Sequence, residues 1–237
     1  MAKRPVPAGT PEASLPAHVW GLVKDSVPPM HPAGRPFVAA ALTAGLFGWR
    51  YGWARRTSLV LAGALALFFR EPKRVPPVLA GAVVAPADGE VALVDEVVPP
   101  AELGLGDQPL PRVSIFLSVL DVHVQRAPIA GRVAEIAYKE GEFLPADVPD
   151  ASVRNERNAV RIEAEDGTTV GVVQIAGLVA RRIVCQVAVG DDLALGQTYG
   201  LIRFGSRVDT YLPAGTVPQP VVGQRTIGGE TVLAVLG

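Results

Sequence analysis

Residues 158–177, NAVRIEAEDGTTVGVVQIAG, place the firmest constraint on what this chain can fold into. Apolar and polar residues alternate on both sides of Asp166-Gly167, which is the period of a strand with one buried face. An Asp-Gly pair between two such runs is a strong short-range signal for a tight β-hairpin. The sequence therefore predicts an antiparallel hairpin whose turn lies at Asp166-Gly167.

Similar short segments recur from about residue 80 to the last residue. The chain contains 25 Gly and 22 Pro, which favours many short strands joined by turns over a helical bundle. The predicted strand segments are AVVAPADGEVALVDEVV (strand, turn, strand around Asp88-Gly89), RVSIFLSV, GRVAEIAYKEG, RRIVCQVAVGDDLALGQTYGLIRFGS and TIGGETVLAVLG. We therefore expect residues 78–237 to form a mainly β catalytic domain, an antiparallel β-sandwich or a barrel-like sheet.

Residues 36–69 differ from this pattern, because two apolar runs flank RYGWARR. Each run is shorter than the ~20 residues that a membrane-spanning helix requires. The aromatic and cationic residues between them are typical of a bilayer surface. We expect residues 36–77 to contain a hydrophobic helical hairpin that dips into one leaflet and ends at REPKRVPP, whose Arg70, Lys73 and Arg74 can touch anionic head groups. A hairpin buried inside a soluble protein is the alternative.

The N-terminal residues, the charge balance and the few cysteines and histidines argue against a secretory signal, nucleic-acid binding, disulfides and a metal site. Residues 1–35 form a Pro-rich lead-in with one short helix predicted near residues 18–26 and without a secretory signal. The 22 basic and 23 acidic residues nearly cancel, so no charge field indicates nucleic acid. The single Cys185 excludes an intrachain disulfide and is predicted to be a small buried strand residue, with a nucleophile as the alternative. A reducing, cytoplasm-facing location is compatible with this cysteine content. His18 and His31 are predicted to be surface residues, so no metal site is expected.

Three residues of the β region carry candidate chemistry. Asp88 lies in a predicted turn, where a structural role is the simpler interpretation, and Asp121 competes with it as an acid. His123 follows an apolar strand, where it is placed either as a general base or as a side chain satisfied by a backbone partner. Ser206 follows Gly205 within the β-like segment 199–213, where the pair is either a β-bulge or a peptide bond that breaks. Together the three supply the members of an Asp-His-Ser relay.

Six segments in order resemble one known family. They are FFREPKRVPP, VVAPADGEV, FLSVLDVHVQRAP, NERNAVRIE, VVQIAGLVARRI and YGLIRFGSRVDTYLP. Over about residues 67–213 the chain resembles the phosphatidylserine decarboxylases, in their shorter prokaryote-type form. Two departures stand out: Arg207 occupies a position that is Thr in many members, and Arg126 replaces a second histidine.

The resemblance implies self-processing. The Gly205-Ser206 bond would break, giving a β chain, 1–205, and an α chain, 206–237, that stay associated. Ser206, activated by Asp88 and His123, would become a covalent pyruvoyl cofactor that forms a Schiff base with the substrate. The activity implied is decarboxylation of phosphatidylserine to phosphatidylethanolamine at a membrane lipid surface, with the catalytic domain on the cytoplasmic side.

Several alternatives stay open at this point. One is a non-enzymatic membrane-tethered β module. Another is a pyruvoyl decarboxylase that acts on a different serine lipid, such as archaetidylserine, or on a soluble amino acid. The candidates for contacting a phosphodiester are Arg126, Arg154, Arg157 and Arg203. The sequence is also compatible with a homo-oligomer.

Overall fold

The computed structural model describes residues 21, 27–145, 151–177, 182–203 and 206–237. Apart from Gly21, the short helix predicted near residues 18–26 lies outside the described residues. The helices of the described part are α1 (Arg35–Phe47), α2 (Gly52–Phe68) and the short α3 (Ala151–Arg154). Single 3₁₀ turns are formed by Pro32–Gly34 and Ala101–Leu103.

Strands dominate the chain after α2, as the alternating pattern predicts. In chain order they are β1 (Ala82–Val84), β2 (Gly89–Val97), β3 (Leu110–Leu117), β4 (Val124–Arg126), β5 (Gly131–Lys139), β6 (Arg157–Glu163), β7 (Thr169–Ala176), β8 (Ile183–Cys185), β9 (Asp192–Leu193), β10 (Thr198–Ile202), β11 (Ser206–Tyr211), β12 (Arg225–Thr226) and β13 (Val232–Val235). The prediction of a mainly β, antiparallel fold with an N-terminal hydrophobic helical hairpin is confirmed.

Helices α1 and α2 form the hairpin. They approach closely at Gly45, where an added Cβ would lie 2.8 Å from the Ser58 Cβ. Their outer faces stay exposed: Leu46, Phe47 and Trp53 are more than two-thirds accessible. The hairpin is therefore not buried inside the protein, although none of the helices in the described ranges is long and apolar enough to cross a membrane.

The main sheet has eight antiparallel strands in the order β12-β2-β3-β11-β7-β6-β5-β9. The predicted hairpin at Asp166-Gly167 is confirmed as β6 and β7. Gly167 has a φ of 84°, which suits glycine, and the Asp166 carboxylate accepts the Thr168 N–H at 2.8 Å. Inward residues such as Ile115, Ile162 and Val208 form one fully buried core.

Two smaller sheets cover this core, one with the order β4-β10-β8 and one that pairs β1 with β13. The sequence pattern suggested one continuous β segment over residues 199–213. The structure instead divides this segment between two sheets. Residues up to Ile202 lie in the three-stranded sheet, and residues from Ser206 lie at the centre of the eight-stranded sheet. The chain passes from one sheet to the other between them, where alternation along the sequence cannot reveal a change of partner.

The strand, turn and strand predicted around Asp88-Gly89 are present, but β1 and β2 do not pair with each other as a hairpin. The backbone between them bonds elsewhere: the Pro86 carbonyl accepts from the Arg126 N–H at 2.8 Å. His31 is buried and not at the surface, since its Nε2 lies 2.9 Å from the Gln186 Oε1. Cys185 is half-buried in β8.

Candidate active site

Ser206 begins β11 and is completely buried. It lies between Leu117 of β3 and Ala176 of β7 in the register of the sheet. Its Oγ has no hydrogen-bond partner among the residues that the structure describes. Leaving a buried hydroxyl unpaired costs about 1–3 kcal/mol, and a catalytic role is one explanation for such a group.

His123 lies in the loop after β3, immediately before β4. Its Nδ1 is 3.0 Å from the backbone carbonyl oxygen of Asp121. Because a carbonyl can only accept, Nδ1 carries the hydrogen, and the neutral ring then holds its lone pair on Nε2. Burial lowers the pKa of His123 to about 4, with Arg70 acting in the same direction and Asp121 in the opposite one. The imidazole is therefore neutral at pH 7 and able to accept a proton at Nε2.

The helical hairpin reaches this histidine directly. The Phe68 ring at the end of α2 packs against the His123 ring with a centroid distance of 4.3 Å. Phe68 and Phe69 form an apolar cluster with Leu201 of β10. This packing contributes to the burial that keeps His123 neutral.

Strand pairing brings the three predicted site residues to one end of the main sheet. Glu90 of β2 and Arg207 of β11 lie on opposite sides of Phe116 in β3. Asp88 and Ser206 therefore lie near the same end of β3, on opposite sides of it. Two strand spacings separate them, about 10 Å in the direction across the strands. His123 follows that end of β3, and its carbonyl accepts the Ile202 N–H at 3.2 Å.

The Asp88 carboxylate is held by partners other than the histidine. Its Oδ2 accepts from Arg74 Nη2 at 2.6 Å, and its Oδ1 accepts from the Gly228 N–H at 2.8 Å. Burial raises the pKa of Asp88, while Gly228 and Arg74 oppose that rise. The bond that orients the His123 ring comes from the Asp121 backbone, so the orienting role of Asp88 stays a prediction.

Asp121, the competing acid, is also engaged. Its carboxylate accepts the Ser118 N–H at 2.8 Å and pairs with Arg225. Burial raises the pKa of Asp121, but Arg225 and Ser118 outweigh it, so the net shift is downward. This carboxylate therefore stays ionised beside the histidine loop.

The candidate phosphate-binding arginines lie in different places. Arg126 is buried and donates to the carbonyls of Gly196 and Pro72 at 3.0 and 2.7 Å. Arg157 is buried against Glu102, and Arg154 forms an exposed pair with Glu142. Of the four, Arg203 is close to Ser206 in the chain, and its guanidinium lies 5.0 Å from the centre of the Phe37 ring.

Arg70 and Arg74, proposed to touch head groups, are turned inward. Arg70 donates to the carbonyls of Leu67 and Leu120 at 2.8 and 2.7 Å, and Arg74 binds Asp88. Sequence reasoning missed that contact and the packing of Phe68, because neither leaves a local pattern. Within the described ranges, no cluster of His, Cys, Asp and Glu side chains could hold a metal ion.

Comparison with known proteins is consistent with this arrangement. The sequence model of the family described as phosphatidylserine decarboxylase matches residues 61–234. A protein of Nocardia farcinica is 62% identical over 236 residues, and one of Rhodococcus erythropolis is 61% identical over 236 residues, with full coverage of both chains in each case. A Mycobacterium tuberculosis protein is 59% identical over 234 residues, 99% of each chain. All three relatives carry the name phosphatidylserine decarboxylase proenzyme.

Proposed function

Because this chain belongs to the phosphatidylserine decarboxylase family, we propose that it decarboxylates phosphatidylserine to phosphatidylethanolamine after cutting itself between Gly205 and Ser206. The observation that carries the proposal is the fully buried Ser206 Oγ without a partner in the described part of the chain, next to the loop of a neutral histidine. Family membership argues against the alternative of a non-enzymatic β module.

Self-cleavage begins with proton removal from the Ser206 hydroxyl. His123 accepts this proton at Nε2, and the Ser206 Oγ attacks the carbonyl carbon of Gly205. The amide C–N bond breaks as the ester C–O bond forms. Loss of the α-proton of residue 206 then expels the Gly205 carboxylate and leaves a dehydroalanine, which water converts to a pyruvoyl group with release of ammonia. Gly205 itself lies outside the described residues.

The surroundings of Ser206 fit such a group. A buried position with an unpaired oxygen suits a small keto group, which needs a dry site and few fixed partners. The pyruvoyl group supplies a carbonyl that accepts the electron pair left when carbon dioxide departs. His123 returns a proton to the substrate α-carbon, as an acid-base group held near the site.

Strand pairing supports continued association of the two pieces. β11 pairs with β3 and β7, β12 with β2, and β13 with β1. Every one of those partner strands precedes residue 205. The cleavage and the loss of the residue 206 nitrogen leave the strand pairing from Arg207 onward in place, so we expect the α chain to stay inserted in the sheets.

The exposed hairpin supports a membrane location for the substrate site. Trp49, Tyr51 and Trp53 are each more than 60% accessible, and α2 ends at Phe68 against His123. An apolar surface joined to the site in this way suits a lipid with two acyl chains. We place the catalytic domain on the cytoplasmic face, with which a single unpaired cysteine is compatible.

Mass analysis of the purified protein tests the proposal. We expect the 32-residue fragment 206–237, about 3 kDa, to lack a free amine and to react with a carbonyl probe. Ser206→Ala and His123→Ala are each expected to leave the chain intact, and only the wild type should release carbon dioxide from phosphatidylserine vesicles. An uncut wild-type chain that still consumes the lipid would disprove the self-cleavage.

A further inference from the structure

A chain of three buried amide side chains crosses the interior between the two larger sheets. Asn158 Nδ2 donates to Gln174 Oε1, Gln174 Nε2 donates to Gln125 Oε1, and Gln125 Nε2 donates to the His123 carbonyl, each at 2.9 Å. All three amides are at most 2% exposed. The chain thus ends on the backbone of the proposed base.

The two ends of this amide chain belong to the two halves of the proposed site. In β7, Gln174 lies opposite Val208, and Ala176 lies opposite Ser206. Directly opposed and alternate residues share a sheet face, so Gln174 projects from the same face as Ser206. Gln125 projects from β4, the strand that His123 precedes. The Gln125–Gln174 bond therefore links the sheet of the serine to the strand of the histidine.

The polarity of this link matters because its surroundings are apolar. Val208, Ile115 and Tyr199 belong to the core that separates the sheets. A buried amide is destabilising unless it is hydrogen-bonded, and the bond tolerates little change in distance or angle. Apolar contacts would hold the sheets together equally well, but they would tolerate sliding. Gly200 allows close packing at this point, since a Cβ there would lie 2.4 Å from the Val184 carbonyl oxygen and 3.2 Å from Gln174 Nε2.

We propose that Gln125, Gln174 and Asn158 position His123 against Ser206 for self-cleavage and catalysis. They are positioning residues, since they act through the His123 backbone and not on the reacting atoms. The His123 carbonyl accepts from both Gln125 and the Ile202 N–H, while the Asp121 carbonyl orients the ring. Without the bond from Gln125, the His123 carbonyl loses one of these two donors and keeps the hydrogen bond from the Ile202 N–H. The inference rests on the proposed self-cleavage.

The test compares two substitutions at one position. Gln125→Met keeps the length of the side chain but removes both hydrogen bonds. Gln125→Glu preserves both bonds while the introduced carboxyl is protonated, because its O–H donates to the His123 carbonyl and its C=O accepts from Gln174. When the introduced carboxyl ionises, its O–H donor is lost, and the resulting carboxylate is repelled by the His123 carbonyl oxygen. Chains made by cell-free translation are moved to buffers from pH 5 to 8, and release of fragment 206–237 is followed by mass spectrometry.

We expect Gln125→Met to cleave about 10-fold or more slowly than wild type at every pH, because a displacement of the order of 1 Å can slow a reaction 100-fold. Gln125→Glu should approach the wild-type rate at pH 5 and the Gln125→Met rate at pH 8. A merely structural role of Gln125 would not create this new pH dependence. If Gln125→Met fails to fold, the pH series of Gln125→Glu carries the test alone.

Val172→Ala is the matched control, because Val172 is a buried core residue of the same strand as Gln174. It should lower stability while changing the cleavage rate less than about threefold. A cleavage rate of Gln125→Met within twofold of wild type would overturn the positioning role. So would a Val172→Ala variant that is as stable as Gln125→Met and cleaves equally slowly. Absence of cleavage in the wild type would instead refute the proposed function.

Discussion

At the scale of the single residue, the burial of His123 links its chemistry to folding. The side chain packs under Phe68, and burial lowers its pKa to about 4 from an ordinary value of 6.5. This keeps the imidazole, which we propose to be the base, neutral at physiological pH. The same shift means that the unfolded chain binds a proton at a higher pH than the folded chain does. The free energy of unfolding must therefore fall as pH falls from 6.5 towards 4.

This residue-scale effect can be isolated in the uncut Ser206→Ala protein. We expect the unfolding free energy contributed by His123 to drop by about 2 kcal/mol between pH 7 and pH 5. Adding His123→Gln should abolish the contribution of His123. Between pH 7 and pH 5, the unfolding free energy of the single variant should therefore drop by about 2 kcal/mol more than that of the double variant. Urea unfolding at both pH values measures it. Parallel pH curves would show that the ring is not buried in the folded protein.

At the scale of the element, β11 begins at the chain end that the proposed cleavage would create. Arg207, the first residue after Ser206, donates Nε and Nη2 to the Asp209 carboxylate at 2.8 and 2.9 Å. Asp209 also lies 3.5 Å from Arg112 of β3, which binds Asp95 of β2 at 2.7 Å. This row of charges connects the start of β11 to its neighbour β3 and, through Arg112, to β2 on the far side of β3. It gives a physical role to Arg207.

Removing the shared carboxylate should reveal how much this row contributes. We expect Asp209→Asn, in the Ser206→Ala protein, to lower the unfolding free energy by about 3–5 kcal/mol, because the buried guanidinium groups of Arg207 and Arg112 both lose the carboxylate that they share. The control is Glu142→Gln, which disrupts the exposed pair with Arg154 and should cost less than about 1 kcal/mol. Similar urea midpoints for the two variants would contradict an anchoring role.

The elements also show where sequence reasoning succeeds and where it ends. Alternation located the strands, and Asp166-Gly167 gave the β6–β7 hairpin, because both are local properties of the backbone. Pairing between distant strands is not local, so the partner of β1 and the change of sheet before Ser206 were missed. His123 and Ser206 are candidates from the sequence because the first follows an apolar strand and the second follows a glycine within a β-like segment. The partner of Asp88 and the amides that reach His123 depend on contacts 14 to 49 residues away in the sequence.

At the scale of the whole molecule, the helical hairpin connects an exposed apolar surface to the reacting centre. Its outer side chains, among them Phe47 and Trp53, are 83% and 72% accessible. Its inner end, Phe68, covers His123. A bilayer that buried the outer surface would therefore hold the site beside the lipid head groups. Substrate access and membrane binding should depend on the outer face of these two helices, whereas self-cleavage should not depend on that outer face.

Charged substitutions on the outer face separate these two properties. We expect Phe47→Glu combined with Trp53→Glu to weaken binding to phosphatidylserine-containing vesicles at least about 30-fold, since burying each large apolar side chain contributes about 1.5–3 kcal/mol. Decarboxylation of vesicle lipid should fall in parallel, while fragment 206–237 still forms at the wild-type rate. Val217→Glu, at an exposed valine outside the hairpin, is the control and should change neither. Vesicle sedimentation measures binding, and undiminished binding of the double variant would place the lipid-facing surface elsewhere on the molecule.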